Sequence, residues 1–194
     1  FYAWESRRPA WAYSDLPGLS AWLAHLGLAA GGEHALALRL PFLLLASALP
    51  WLAWRIAARW FGARAGWCAG LLVLLMPLSA QLGVMAMPDV PLVLASLLCL
   101  DAIAALRERV HAAALCELAL ALALGALAHY RFAMVLLAGA LGLLLDPRAR
   151  RLLREPKLWA VLAFGALAWW PLLQWNFGHA GAGLRFQLVE RNPW

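Results

Sequence analysis

The sequence predicts an all-α, polytopic transmembrane helical bundle, and three observations predict it. Apolar residues make up 65% of the chain and charged ones 13%, where a soluble domain carries roughly 45–50% and 25%. Six apolar stretches are long enough, or nearly so, to cross a bilayer. Ten of the 16 Lys and Arg fall in just three of the loops between those stretches. A water-soluble core does not require so much apolar surface, whereas a lipid-facing exterior does. The net charge of +6 and the pI near 10 would suit nucleic acid if the basic residues formed one stripe. Concentrated in alternate loops they report topology instead, and no nucleic-acid partner is expected.

The elements follow in order. Residues 1–34 mix Trp4, Trp11, Trp22, Tyr2 and Tyr13 with Glu5, Arg7, Arg8 and Asp15, the composition of a headgroup-level belt. Interfacial helices broken at Pro9 and at Pro17-Gly18 are predicted there. Spans follow at 40–54, 65–87, 90–106, 112–128, 132–145 and 158–175. The loops after the first, third and fifth hold Arg55, Arg59 and Arg64; Arg107 and Arg109; and Arg148, Arg150, Arg151, Arg154 and Lys157. The loops after the second and fourth hold only Arg131. Positive charge marks the inner side, so Asp89, His129 and Arg131 face outward, as do residues 1–34 and 176–194. The 14-residue segment 132–145 is short for a crossing, about 21 Å as a helix. A re-entrant hairpin would strand the five-cation loop outside, so it is kept as a span with snorkelling ends. The chain opens at Phe1 on the outer side, so an upstream crossing is expected, and 1–194 reads as one membrane domain. Cys68, Cys99 and Cys116 lie inside apolar segments without ligand spacing and read as small buried apolar residues.

Polar residues that suit chemistry collect at the outer face. Asp89 stands in Met87-Pro88-Asp89-Val90-Pro91, a tight turn between two spans. It either caps the helix beginning near Val90 or presents a carboxylate to a site, and Gln81, eight residues earlier, is read on the same helical face. His129-Tyr130-Arg131 interrupts an otherwise apolar run. A guanidinium at this level suits bidentate binding of phosphate, with interfacial anchoring as the alternative. Asp15 in Tyr13-Ser14-Asp15-Leu16-Pro17-Gly18 is open to a turn-forming role, and Glu190-Arg191 to that of a solvated pair. Toward the inner side, Asp101 and Glu117 each lie about six residues inside their spans. They are expected at similar depth, with a structural or proton-sharing role and with Arg107 or Arg109 reaching them.

The stretch Tyr13-Ser14-Asp15-Leu16-Pro17-Gly18-Leu19 resembles the Y-F-D-H-P-P-L stretch of bacterial integral-membrane GT-C glycosyltransferases. These are relatives of the protein O-mannosyltransferases and of the aminoarabinose transferase that modifies lipid A. Arg39-Leu40-Pro41 is similar to the family's R-L-P, Arg59-Trp60-Phe61-Gly62 to its R-L-F-G, and Met87-Pro88-Asp89-Val90-Pro91-Leu92 to its T-P-D-A-P-L. Ala128-His129-Tyr130-Arg131 falls where many members have S-K-Y-T, and Arg185-Phe186-Gln187-Leu188 with Glu190-Arg191 resembles a later outer loop. The match is ordered and spans nearly the whole chain.

The resemblance implies sugar transfer from a polyprenyl-phosphate donor, by inverting displacement, to a lipid, glycan or protein acceptor. It places the protein in a bacterial inner membrane among membrane lipids, its site facing the periplasm. It implies Asp89 and Asp15 as the catalytic acids of this chain, with Asp89 orienting the acceptor or holding a divalent metal ion, the one cofactor considered. His129, Tyr130, Arg131, Glu190 and Arg191 are implied in substrate binding. The family's principal acid, usually in an Asp-Glu pair, is expected just before Phe1, so this stretch alone is expected to be inactive. His129 replaces a frequent Lys, and Leu16 and Gly18 replace the His and second Pro of the usual turn. The rival reading is a lipid transporter or flippase subunit. Transporters bind near the midplane between internal repeats, and neither feature is visible in this sequence.

Overall fold

The computed structural model describes residues 2–13 and 16–190, apart from the side chains of Tyr2, Ala80, Leu188 and Glu190. Asp15 and Arg191 therefore lie outside the described residues. The fold is all-α and polytopic. Helices α1 (Tyr2–Glu5) and α2 (Leu19–Gly31) precede the long α3 (Ala35–Phe61), followed by α4 (Ala63–Leu75), α5 (Pro77–Val84) and α6 (Asp89–Glu108). Then come α7 (Ala112–Ala128), α8 (Phe132–Leu145), α9 (Pro147–Arg150), a 3-10 turn at Arg151–Arg154, α10 (Pro156–Leu167), α11 (Trp170–Gly178) and α12 (Ala182–Arg185). Among the described residues three helical stretches are long and apolar enough to cross a membrane, or five if each of two bent pairs counts as one crossing. The remaining predicted span, α7, is 17 residues long.

Proline decides where the segments depart from the sequence reading. Pro41 and Pro50 lie inside α3, which runs well past both ends of the predicted 40–54. A proline in a membrane helix removes one hydrogen bond but leaves no better alternative for the rest of the backbone, so the helix continues. The predicted single span 65–87 is instead two helices meeting at 59° at Pro77, and it stops at Val84. Asp89 and Gln81 therefore belong to different helices, and the shared helical face expected for them does not exist. The helix α8 turns by 97° into the arginine-rich stretch 147–154, where Asp146 accepts the Arg148 N–H at 2.9 Å and starts the new helix.

Packing keys three helices together. The Gly62 turn (φ +90°) reverses α3 into α4, and Gly66 and Gly70 lie against the backbone of Trp54 and Pro50, a small-residue seam of the kind that brings membrane helices close. Phe42 with Val90, then Leu49 and Leu52 with Leu94, join α3 to α6 in parallel register. A larger core ties α6, α7, α8 and α10 through Leu106, Leu118, Leu122, Phe132 and Leu158. Segment 2–31 is more than an interfacial belt: Gly27 of α2 sits so near Ala37 O of α3 that a Cβ there would stand 2.2 Å from it. Cys68 and Cys116 are exposed and Cys99 half-buried, correcting the expectation of burial, because an apolar residue in such a bundle can face lipid as readily as protein.

Candidate active site at the Asp89 end of the bundle

The charged residues of the helices separate into two layers. In the layer nearer the arginine-rich loops, the Arg55 guanidinium pairs with both Asp101 and Glu117. Arg59 reaches Asp101 at 3.6 Å and Glu108 at 3.3 Å, and Arg107 pairs with Asp146 at 2.6 Å. Asp101 and Glu117 do lie at one depth, as expected, but their cation comes from α3 and not from Arg107 or Arg109. Arg107 is turned the other way, stacked over the Trp60 ring at 4.4 Å. With Asp101 1% exposed, these pairs neutralise carboxylates that low-dielectric surroundings would otherwise penalise heavily.

That layer fixes heights for the rest. Asp89 stands twelve residues before Asp101 on α6, and His129 twelve after Glu117 at the end of antiparallel α7. Both are thus about 18 Å above the charge layer, at the same end of the bundle. Asp89 is the first residue of α6; Pro88 occupies the cap position and no side-chain capping bond forms. The N-cap alternative is therefore not realised. Half-buried beside Val90, the Asp89 carboxylate has no hydrogen bond or ion pair among the described residues, although the helix N-terminus favours its negative charge.

The 129–131 turn is tightly built. Phe132 folds back onto Gly125 of α7, where any Cβ would clash with the ring, and the Phe132 N–H donates to His129 O at 3.0 Å. His129 is buried, and its Nδ1 accepts the Arg131 backbone N–H at 3.0 Å. With Nδ1 accepting, the neutral ring carries its proton on Nε2. Tyr130 accepts a hydrogen bond at 3.0 Å from Asn176 Nδ2 of α11, a packing tie in addition to any anchoring at an interface. Arg131 is exposed and its guanidinium has no partner among the described residues.

Asn176, which the sequence reading missed, is the hub behind this turn. It is 4% exposed, donates to Tyr130 and to Leu172 O, and accepts the Leu184 N–H at 3.0 Å. Its signal in the sequence was a polar amide within an otherwise apolar, aromatic helix, a residue type that joins membrane helices by hydrogen bonds. Of the other expected site residues, Asp15 and Arg191 fall outside the described residues. Glu190 ends the π-helical turn Phe186–Glu190, with its side chain likewise outside. Among the described residues no three His, Cys, Asp or Glu side chains gather as a metal site, and Asp89 brings one carboxylate to this end of the bundle.

A second feature at this end is a cavity of about 430 Å³ among Trp4, Arg7, Leu28, Glu33 and His34. It is bordered by the Arg7–Glu33 ion pair at 3.5 Å. The fold preceding it is held by Tyr13, whose hydroxyl accepts the Ala10 N–H at 2.9 Å and lies 3.0 Å from Arg8 O. Burial raises the Tyr13 hydroxyl above its ordinary value; the Ala10 hydrogen bond opposes this, and the Glu5 carboxylate adds to it.

No curated protein and no solved structure matches the chain. A family model described as dolichyl-phosphate-mannose-protein mannosyltransferase matches residues 15–175, a stretch that includes Asp89, the 129–131 turn and every helix from α2 to α10. A polytopic all-α bundle with a carboxylate and a guanidinium at one end that lack partners among the described residues accords with that match: the chain belongs to the dolichyl-phosphate-mannose-protein mannosyltransferase family, a family of membrane glycosyltransferases.

Proposed function

We propose that the protein moves a sugar from a polyprenyl-phosphate donor to an acceptor hydroxyl at the Asp89 face of the membrane. We assign that face to the periplasm of a bacterial inner membrane, because the arginine-rich loops belong to the opposite side. The family's name points to mannose as the sugar and to protein as the acceptor.

One observation carries the reading. Asp101, Glu108, Glu117 and Asp146 all have cation partners, whereas Asp89 and Arg131, at the same end of the bundle, have none among the described residues. Each is available for a ligand. The leaving group is a phosphate monoester of a long prenol, and an unpaired guanidinium at headgroup level meets its oxygens in bidentate fashion, stabilising the charge that develops as it departs. Asp89 accepts the proton of the acceptor hydroxyl. The new C–O bond forms at the anomeric carbon as the bond to the phosphate oxygen breaks, and polyprenyl phosphate leaves. His129 orders the turn through its Nδ1 and thereby sets where Arg131 stands. A prenyl tail in the bilayer accounts for a site built at the lipid boundary.

The test uses the full-length protein in liposomes with a radiolabelled polyprenyl-phosphate mannose and an acceptor. Asp89→Asn is expected to lower kcat by about 10²–10⁴ while the variant elutes and melts like wild type. Arg131→Gln is expected to lower kcat/KM for the donor. Wild-type turnover by Asp89→Asn overturns the assignment, as does labelled lipid crossing the bilayer with no glycosylated product.

A further inference from the structure

We infer that the bundle holds an anionic phospholipid between α6 and α8, at the end opposite Asp89. A groove of about 540 Å³ runs between these helices, within the size range of ligand pockets. Its walls are apolar, with Ile103 on one side and Val135 on the other, and it ends against Trp60 and Arg107. The α8 wall is open because Gly139 and Gly142 line it: a Cβ built on either meets nothing within 4 Å. A second, polar cavity of about 220 Å³ shares Trp60 and Arg107 with the groove and adds Arg59, Glu108 and Arg148. The two together form one amphipathic slot, apolar along the helices and cationic at its mouth.

Charge selects the occupant. Residues 146–157 hold five cations and two acids, a net +3 from 5 − 2, and the 97° bend after α8 turns this stretch away from the helix axis beside the slot. Arg107 is committed to Asp146, while the Arg148 guanidinium is exposed and has no partner among the described residues. An acyl chain fits the groove, and a phosphodiester headgroup supplies the anion that Arg148 lacks. Basic pockets between membrane helices bind anionic headgroups in this way. The slot is separate from the proposed catalytic end and does not depend on the reaction assigned there.

Native mass spectrometry of the full-length protein in mild detergent, with dioleoyl phosphatidylglycerol or dioleoyl phosphatidylcholine added, tests the site. Phosphatidylglycerol adducts are expected to outlast phosphatidylcholine adducts. Arg148→Gln, an exposed change that leaves the fold alone, is expected to weaken phosphatidylglycerol binding about fivefold. Gly139→Leu fills the groove and is expected to remove the preference. Equal retention of the two lipids overturns the inference, as does wild-type phosphatidylglycerol binding by Arg148→Gln. So does a slot filled by polyprenyl phosphate, or by a second copy of the chain, that added phosphatidylglycerol does not displace.

Discussion

Replacing Arg55 with methionine removes the cation that holds α3, α6 and α7 together while keeping an apolar stem of similar reach. Arg55 is the shared partner of Asp101, 1% exposed, and Glu117, 19% exposed. In the variant two carboxylates face each other, and the nearest remaining cation is Arg59, 3.6 Å from Asp101. Taking one partner from a buried ion pair costs about 3–5 kcal/mol. Arg59 compensates in part and Arg55 is itself 27% exposed, which sets the expectation at the lower end, about 3 kcal/mol. For a chain of this length that corresponds to a melting midpoint lower by about 6–12 °C. Most of the loss is desolvation and repulsion of the orphaned acids, so adding Asp101→Asn and Glu117→Gln to Arg55→Met is expected to recover about 2 kcal/mol. The assay is the midpoint of monodisperse protein surviving heating, read by size-exclusion at one fixed heating time. A single variant melting within about 2 °C of wild type refutes the argument. So does a triple variant no more stable than the single.

Three further outcomes follow from local geometry. Gly27→Val forces a side chain against Ala37 O, which already lies 2.2 Å from an ideal Cβ; a loss of about 1–3 kcal/mol is expected as a lower melting midpoint, and an unchanged midpoint removes the close approach of α2 to α3. Asn176→Leu strands the Leu184 N–H and loosens Tyr130 at about 1–3 kcal/mol, visible as faster hydrogen exchange at Leu184. Tyr13 gives a pH signature: with the hydroxyl raised by burial, the stability it contributes is whole below the unfolded value of about 10 and is lost as pH rises through the folded value. Wild type is therefore expected to lose stability above about pH 10 in a step that Tyr13→Phe lacks, followed by melting at stepped pH.

Composition and loop charge made the class of fold legible, because a lipid-facing surface leaves its mark on every segment. Depth was legible too: counting inward from the loops set Asp101 and Glu117 level, and Arg55 joins them. Their partner was not legible, since Arg55 lies 62 residues from Glu117 along the chain and only helix packing brings it there. Prolines were ambiguous in the sequence: Pro41 and Pro50 sit inside α3, while Pro77 and Pro147 open new helices. What separates them is the preceding residue, which is extended at Met76 and Asp146 and helical before Pro41 and Pro50. At the site, Asp89 and Arg131 stood out as charges in apolar surroundings. Asn176 did not, because its importance lies in three hydrogen bonds to partners on other turns of the chain and to its own helix.

The Arg55 layer also acts as a datum from which the far end of the molecule is measured. Twelve residues of unbroken helix carry that datum up α6 to Asp89 and up α7 to His129. Exchanging one apolar residue for another within those stretches preserves the measurement. Inserting a single residue swings the carboxylate about 100° around its helix and lifts it about 1.5 Å, out of alignment with the turn across from it. The count of residues between the two layers is accordingly a constraint on this protein in its own right, independent of which apolar side chains fill it.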